Sequence, residues 1–248
     1  MFIFMMAFFS CFGTQAVAGS EKITFPSKDQ LTITAEWYPA GPDLPVILLC
    51  HQAGSSRGEY TEAAIKLNKF GFNCLAIDLR SGDKSQGIIN ETAAEAAKLG
   101  RPQSYLDAEQ DIIAGIDYLY FNYKKKVIVV GSSYSASLAL LIAKKNERVR
   151  AVAVFSPGEY FNDPGFVSGQ IAGLSKPVFV TSSKAEADDV TALLKDVISM
   201  IKVQYIPKFE GNHGAKVLWE SQPLHQEYWI ALMSFLNRIR KLDEQDGK

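Results

Sequence analysis

Val127-Ile128-Val129-Val130 runs directly into Gly131-Ser132-Ser133-Tyr134-Ser135, and then into Leu138-Ala139-Leu140-Leu141-Ile142-Ala143. Four β-branched residues in a row suit a strand buried on both faces, and the leucine and alanine run is good helix former. The chain therefore has to pass from strand to helix through a sharp turn that carries a serine. That spacing is close to G-x-S-x-G, the nucleophile elbow, in which the Ser Oγ stands on a strained turn above a sheet. The last glycine of the pattern is Ser135 here, small but bearing a Cβ. Taken alone, the stretch would equally describe an ordinary βα unit whose Ser133 caps the helix. The decision rests on whether a base, an acid and an oxyanion loop stand at matching places.

At 248 residues the chain is long enough for one α/β domain over residues 19–248, burying roughly 75% of the unfolded surface. A hydrophobic fraction of 47% and a charged fraction of 21% are those of a globular protein. The net charge of −1 gives no broad electrostatic case for nucleic acid or an anionic membrane surface.

The first residues differ in character. Positions 1–9 carry no charged side chain, and Ala16-Val17-Ala18 precedes Gly19. An apolar run followed by A-x-A is expected to be a signal peptide over 1–18, cleaved after Ala18, with the mature protein exported to the periplasm or medium. The alternative is lipid attachment at Cys11, since Phe8-Phe9-Ser10-Cys11 loosely resembles a bacterial lipobox, and this is the one membrane contact expected. Cys50 and Cys74 fall at opposite ends of neighbouring parallel strands, beyond the ~7 Å Cα limit for a disulfide. Two buried thiols are expected.

Along the chain, period-two alternation over 22–25 and 31–38, with a turn between, predicts an antiparallel hairpin. Unbroken apolar runs at 45–50, 73–77, 127–130, 149–155 and 177–181 predict buried strands, and 202–206 a last one. Helices are expected over 58–70, with Tyr60, Ala63, Ala64, Leu67 and Phe70 inward, and over 105–120, with Leu106, Ile112, Ile113, Ile116 and Leu119 forming a buried stripe. Two more are expected over 187–200 and 223–240. Residues 81–104 break the rhythm; a loop with a short helix is expected, either over a substrate pocket or as a solvated insertion. The alternation predicts an α/β fold: a mostly parallel sheet with an N-terminal antiparallel hairpin and helices on both faces.

In such a sheet, ligands bind beyond the carboxyl ends of the strands. The polar residues standing there are His51-Gln52-Ala53-Gly54, then Ser133, then Ser182 to Asp188, then Gly211-Asn212-His213-Gly214. A serine hydroxyl is a weak nucleophile and needs a base to take its proton. His213 is placed to do that, and a carboxylate on its far nitrogen would hold the tautomer and stabilise the imidazolium. Glu186 is the first candidate for that acid and Asp188 the alternative, with Glu159 and Asp163 as outlying candidates. The oxyanion requires two donors, assigned to the backbone amides of Gln52 and Tyr134. His51 is read as shaping its loop and His225 as structural. No metal-binding spacing is present and no cofactor is expected.

These motifs resemble those of the α/β-hydrolase superfamily over essentially the whole mature length, most of all its dienelactone-hydrolase-like branch. The resemblance rests on His51-Gln52-Ala53-Gly54, Gly131-Ser132-Ser133-Tyr134-Ser135 and Gly211-Asn212-His213-Gly214. Ser182 to Glu186 stands where many relatives have H-G-x-x-D, and Asp78-Leu79-Arg80-Ser81-Gly82 resembles their D-x-R-G-x-G turn, which shapes the sheet edge. Dienelactone hydrolases carry a cysteine nucleophile where Ser133 stands. The expectation is a serine hydrolase acting on a small-molecule acyl substrate, an ester or thioester, through an acyl-enzyme. A peptidase or acyltransferase on the same fold remains open, as does a binding protein that keeps the fold without catalysis.

Overall fold

The structure, a computed structural model, describes residues 19–161 and 163–246. The leader expected over 1–18, with Cys11, lies outside the described residues. The chain opens with β1 (Glu21–Pro26) and β2 (Thr32–Tyr38), paired antiparallel. β3 (Val46–Cys50) leads through a 3-10 turn at Arg57–Tyr60 into α1 (Thr61–Lys69), and β4 (Asn73–Ile77) follows. The 81–104 excursion contains a two-stranded hairpin, β5 (Lys84–Ser85) and β6 (Ile88–Ile89), and then α2 (Glu91–Lys98). Next come α3 (Glu109–Tyr123), β7 (Val127–Ser132), α4 (Tyr134–Lys145), β8 (Val149–Phe155), α5 (Phe166–Ile171), β9 (Val178–Thr181), α6 (Ala187–Leu193), β10 (Lys202–Tyr205) and α7 (His225–Asp246).

Eight strands form one sheet in the order β1-β2-β4-β3-β7-β8-β9-β10. β1, β2 and β4 pair antiparallel along one edge, and every pairing from β4 to β10 is parallel. Continuous apolar strands need cover on both faces, and the core divides accordingly. Leu48, Val129 and Val152 face Ile112, Ile116 and Leu138 of α3 and α4 on one side. Ile47, Val130 and Phe179 face Leu67 of α1 and Leu232, Phe235 and Leu236 of α7 on the other. Cys50 and Cys74 are free, buried thiols. Among the described residues, no helix is long and apolar enough to cross a membrane.

Several boundaries differ from expectation. Phe70 does not enter the core: α1 ends at Lys69, and Phe70 caps it half-exposed, tilted against Trp229. Leu106 sits in a 3-10 turn ahead of α3 and is 41% exposed. α6 stops at Leu193 rather than 200, because the following segment hydrogen-bonds to the loop before β9, with Gly173 N–H on Asp196 O and Ile198 N–H on Leu174 O. α7 runs on to Asp246, past the expected end at 240.

The Asp78–Gly82 turn is held by buried ion pairs. Asp78 accepts the Arg57 guanidinium at 2.6 Å and the backbone amides of Arg57 and Glu91 at 2.8 Å. Arg80 pairs with Asp111 at 2.7 Å and with Asp29. Removing one member would leave a buried charge unpaired, a cost of about 3–5 kcal/mol.

Candidate active site

The elbow is built at the centre of the sheet. β7 delivers Ser133 with φ 59° and ψ −125°, a conformation that L-residues rarely adopt, and α4 starts at the next residue. Such strain persists only where the surroundings over-determine it. Ser133 N–H donates to Phe155 O at 2.8 Å. Gly131 admits the close turn: a Cβ there would lie 2.6 Å from Ser135 O and 2.7 Å from Ala136 Cα. Ser135, in the place of the third glycine, is fully buried and uses its hydroxyl. It accepts the Ser132 N–H at 2.9 Å and donates to Cys50 O at 2.8 Å, which ties the elbow to the end of β3.

The structure brings Ser133, His213 and Glu186 into one hydrogen-bonded line. His213 Nε2 lies 2.8 Å from Ser133 Oγ, and His213 Nδ1 is hydrogen-bonded to Glu186 Oε1. Glu186 Oε2 accepts from the Ser183 amide at 3.0 Å, the Ser183 hydroxyl at 2.7 Å and the Ser156 hydroxyl at 2.9 Å. Burial pushes the Glu186 carboxyl up, but the hydrogen bonds from His213, Ser183 and Ser156 outweigh it and hold the pKa to about 2. An ionised Glu186 keeps the proton of a neutral His213 on Nδ1, which leaves Nε2 free to accept from Ser133.

The other acids lie elsewhere. Asp188 is exposed in the first turn of α6 and makes no bond to His213. Glu159 accepts the Val167 and Ser168 amides at the start of α5, and the Asp163 carbonyl accepts the Phe166 amide. His51 is fully buried: Nε2 accepts the Leu79 amide at 2.9 Å and Nδ1 donates to Gln52 O at 2.8 Å. Desolvation lowers its pKa to about 4, so it is a neutral prop for its loop. His225 opens α7.

The Gln52 amide expected at the oxyanion site points the other way. It donates to Glu59 Oε2 at 2.8 Å and has no proton left for a ligand. The turn responsible runs from Gln52 to Ser55, with Ser55 N–H on Gln52 O and Gly54 at φ +66°. The next amide, that of Ala53, hydrogen-bonds to no described residue. The Tyr134 amide, at the start of α4, likewise has no acceptor one turn back within the helix. The free pair is therefore Ala53 and Tyr134.

Two further site residues were not legible as such in the sequence. Ser156 follows β8 with φ 52°; its hydroxyl bonds Glu186 and accepts the Gly214 amide at 3.0 Å. Tyr160 presents its ring edge-on to His213 at 6.4 Å, and its hydroxyl donates to Ser156 O at 2.8 Å. Only Pro157, next to Ser156, signalled a turn there. Tyr160 and Phe161 face Gln103, Ser104, Tyr105 and Leu106 across a cleft of about 350 Å³. Tyr105 is stacked on Tyr134 at 4.4 Å. The excursion is thus divided: its end lines the cleft, while α2 lies on the sheet edge, with Thr92 Oγ1 accepting the Thr34 amide of β2 at 2.8 Å.

The arrangement can pass a proton from a serine hydroxyl to an imidazole, with the Tyr134 amide next to the serine in the chain and the Ala53 amide left without a described acceptor in the loop after β3. Residues 42–220 match the family model of serine aminopeptidase S33. Comparison with curated protein sequences finds no match. An esterase of Pyrococcus furiosus superposes with a TM-score of 0.70 at 17% identity, over 89% of this chain and 92% of that one. A dienelactone hydrolase of Anabaena variabilis gives 0.67 at 16% identity, over 89% and 96%. An acylaminoacyl peptidase of Pyrococcus horikoshii gives 0.62 at 17% identity, over 88% of this chain and 41% of that one. With a parallel sheet, an elbow at its centre and a family match over most of its length, the chain belongs to the serine aminopeptidase S33 family of α/β hydrolases.

Proposed function

We propose that the protein is a serine hydrolase that cleaves a small ester or thioester through an acyl-enzyme, and the Ser133–His213–Glu186 line carries the proposal. Ser133 Oγ attacks the acyl carbon while its proton passes to His213 Nε2. Glu186 stabilises the resulting imidazolium, and the Ala53 and Tyr134 amides receive the negative oxygen. His213 then returns the proton to the departing alcohol or thiol. A water, deprotonated by the same nitrogen, displaces the acyl group from Ser133.

The cleft beside Tyr160 supports an uncharged, apolar acyl group. Among the described residues no Lys, Arg, Asp or Glu lines it, and its Tyr105 and Leu106 are 38% and 41% exposed. Three of its polar groups are already engaged: Gln103 Nε2 donates to Arg80 O and Ala93 O, Ser104 Oγ bonds Asp107, and the Tyr160 hydroxyl donates to Ser156 O. Peptide cleavage is the second reading, favoured by the family's description and by the acylaminoacyl peptidase likeness.

Labelling of protein beginning at Gly19 with a fluorophosphonate, followed by mass mapping, tests the chemistry. The expected result is one adduct on Ser133 that is absent from His213→Ala. A folded protein that takes no adduct would overturn the proposal in favour of a binding protein. Turnover of esters of one alcohol with acetyl, butyryl, octanoyl and succinyl groups, beside an aminoacyl anilide, then separates ester from peptide preference. It also exposes any tolerance of acyl charge.

A further inference from the structure

Glu59 is a carboxylic acid sealed beneath the site that the reaction steps above do not use. It lies 1% exposed in the 3-10 turn before α1, and its Oε2 accepts the Gln52 amide at 2.8 Å. The main chain around it is held as well, since Trp219 Nε1 donates to Glu59 O at 2.8 Å. The hydroxyls of Ser132 and Ser55 lie against the carboxyl, and Lys216 is the nearby cation. Ser132 also accepts the Ala215 amide at 2.8 Å, two residues past His213. Gly214 packs into the same space: a Cβ there would meet Gln52 Oε1 at 2.4 Å and Ser132 Oγ at 2.8 Å. The elbow, the histidine loop and the loop after β3 therefore converge on one buried side chain. Buried carboxyls are costly to keep, and Glu59 Oε1 has no hydrogen-bond partner among the described residues. Packing alone would be served better by leucine.

We infer that Glu59 is a positioning residue for the oxyanion site: by holding the Gln52 N–H inward, it turns the following Ala53 N–H outward beside Tyr134. The Gln52 and Ala53 N–H groups lie in successive rigid peptide planes joined only through Gln52 φ and ψ. Glu59 fixes the first plane, and His51 Nδ1 at 2.8 Å and Ser55 N–H at 3.3 Å hold Gln52 O in the second, so the Ala53 N–H direction depends on both anchors. Without an acceptor at Glu59, the Gln52 amide is buried and unsatisfied, and the loop relaxes toward any other acceptor. The Ala53 donor then drifts from the oxygen it has to meet.

The inference rests on the hydrolase reading, and the experiment keeps the two apart. Wild-type, Glu59→Gln and Glu59→Leu proteins are compared for kcat and KM on p-nitrophenyl butyrate and for inhibition by a trifluoromethyl ketone, whose adduct carries the oxyanion. Loss of one oxyanion donor lowers kcat about 100-fold or more. Glu59→Leu is expected to lose kcat on that scale with KM within about threefold of wild type, and to lose ketone affinity in parallel. Glu59→Gln, whose side-chain carbonyl still accepts the Gln52 amide, is expected to stay within about fivefold of wild type on both measures. If Glu59→Leu does not fold, Glu59→Asp decides, because it retracts the acceptor by about 1.5 Å and should show the same loss of kcat at constant KM. Full kcat and ketone affinity in the folded Leu or Asp variant would overturn the inference alone, as would a Gln variant as impaired as Leu. A wild-type protein with neither turnover nor a Ser133 adduct would overturn the hydrolase reading, and the inference with it.

Discussion

The Ser156 hydroxyl donates to Glu186 Oε2 at 2.9 Å and accepts the Gly214 amide at 3.0 Å, so one buried side chain joins the carboxylate to the loop that carries His213. Hydrogen bonds to a charged group contribute about 1.5–3 kcal/mol. Ser156→Ala is expected to lower kcat roughly tenfold or more on that basis, while KM stays near wild type because no substrate contact is removed. Steady-state kinetics check this; an unchanged kcat would mean that Ser183 and His213 suffice to hold Glu186.

The two acids of the α6 region should separate cleanly. Glu186→Gln keeps the shape but removes the charge that fixes the His213 tautomer, and kcat is expected to fall by about 10³–10⁴. Asp188→Asn, on an exposed helix turn, is expected to stay within about twofold. Parallel kinetics of the two variants decide; equal losses would move the acid role away from Glu186.

His51 gives the fold an acid-sensitive point. Its ordinary pKa of 6.5 is lowered to about 4 by desolvation in its buried loop. The unfolded chain therefore binds a proton that the folded protein refuses between those values. The contribution to stability is complete above about 6.5 and is lost as pH falls toward 4. The full gap corresponds to roughly 3 kcal/mol. Urea unfolding between pH 7.5 and 4.5 should show this slope in wild type and a shallower one in His51→Gln. Identical slopes would remove His51 as the cause.

Strain at the nucleophile is open to a direct comparison. Ser133→Ala and Ser133→Gly both remove the hydroxyl and should lose kcat by several orders of magnitude. Ala keeps a Cβ at φ 59° and ψ −125°, whereas Gly adopts that region freely. The Gly variant is expected to be about 1 kcal/mol more stable than the Ala variant, after its larger backbone entropy is counted. Chemical denaturation of the pair measures it; an Ala variant as stable as Gly would mean that the elbow is unstrained.

By itself the chain determined what depends on local chemistry. The β-branched run ending at Gly131 dictated a buried strand, Ser133 the turn, and the order of Ser133, Glu186 and His213 behind three strands placed a hydroxyl, a carboxylate and an imidazole on one sheet edge. Period-two and apolar runs likewise dictated a hairpin followed by parallel strands. Helix ends such as Leu193 were settled by backbone partners distant in sequence, Gly173 and Leu174. Within the site, only the tertiary structure decided that Glu186 rather than Asp188 meets His213, that Ser156 and Tyr160 stand beside them, and that Ala53 rather than Gln52 offers its amide. A side chain's identity is local, but the direction of a backbone N–H is set by whatever acceptor the fold brings to it. For Gln52 that acceptor is Glu59, sealed under the loop by Trp219 and Ser132, and neither lies near it in the sequence.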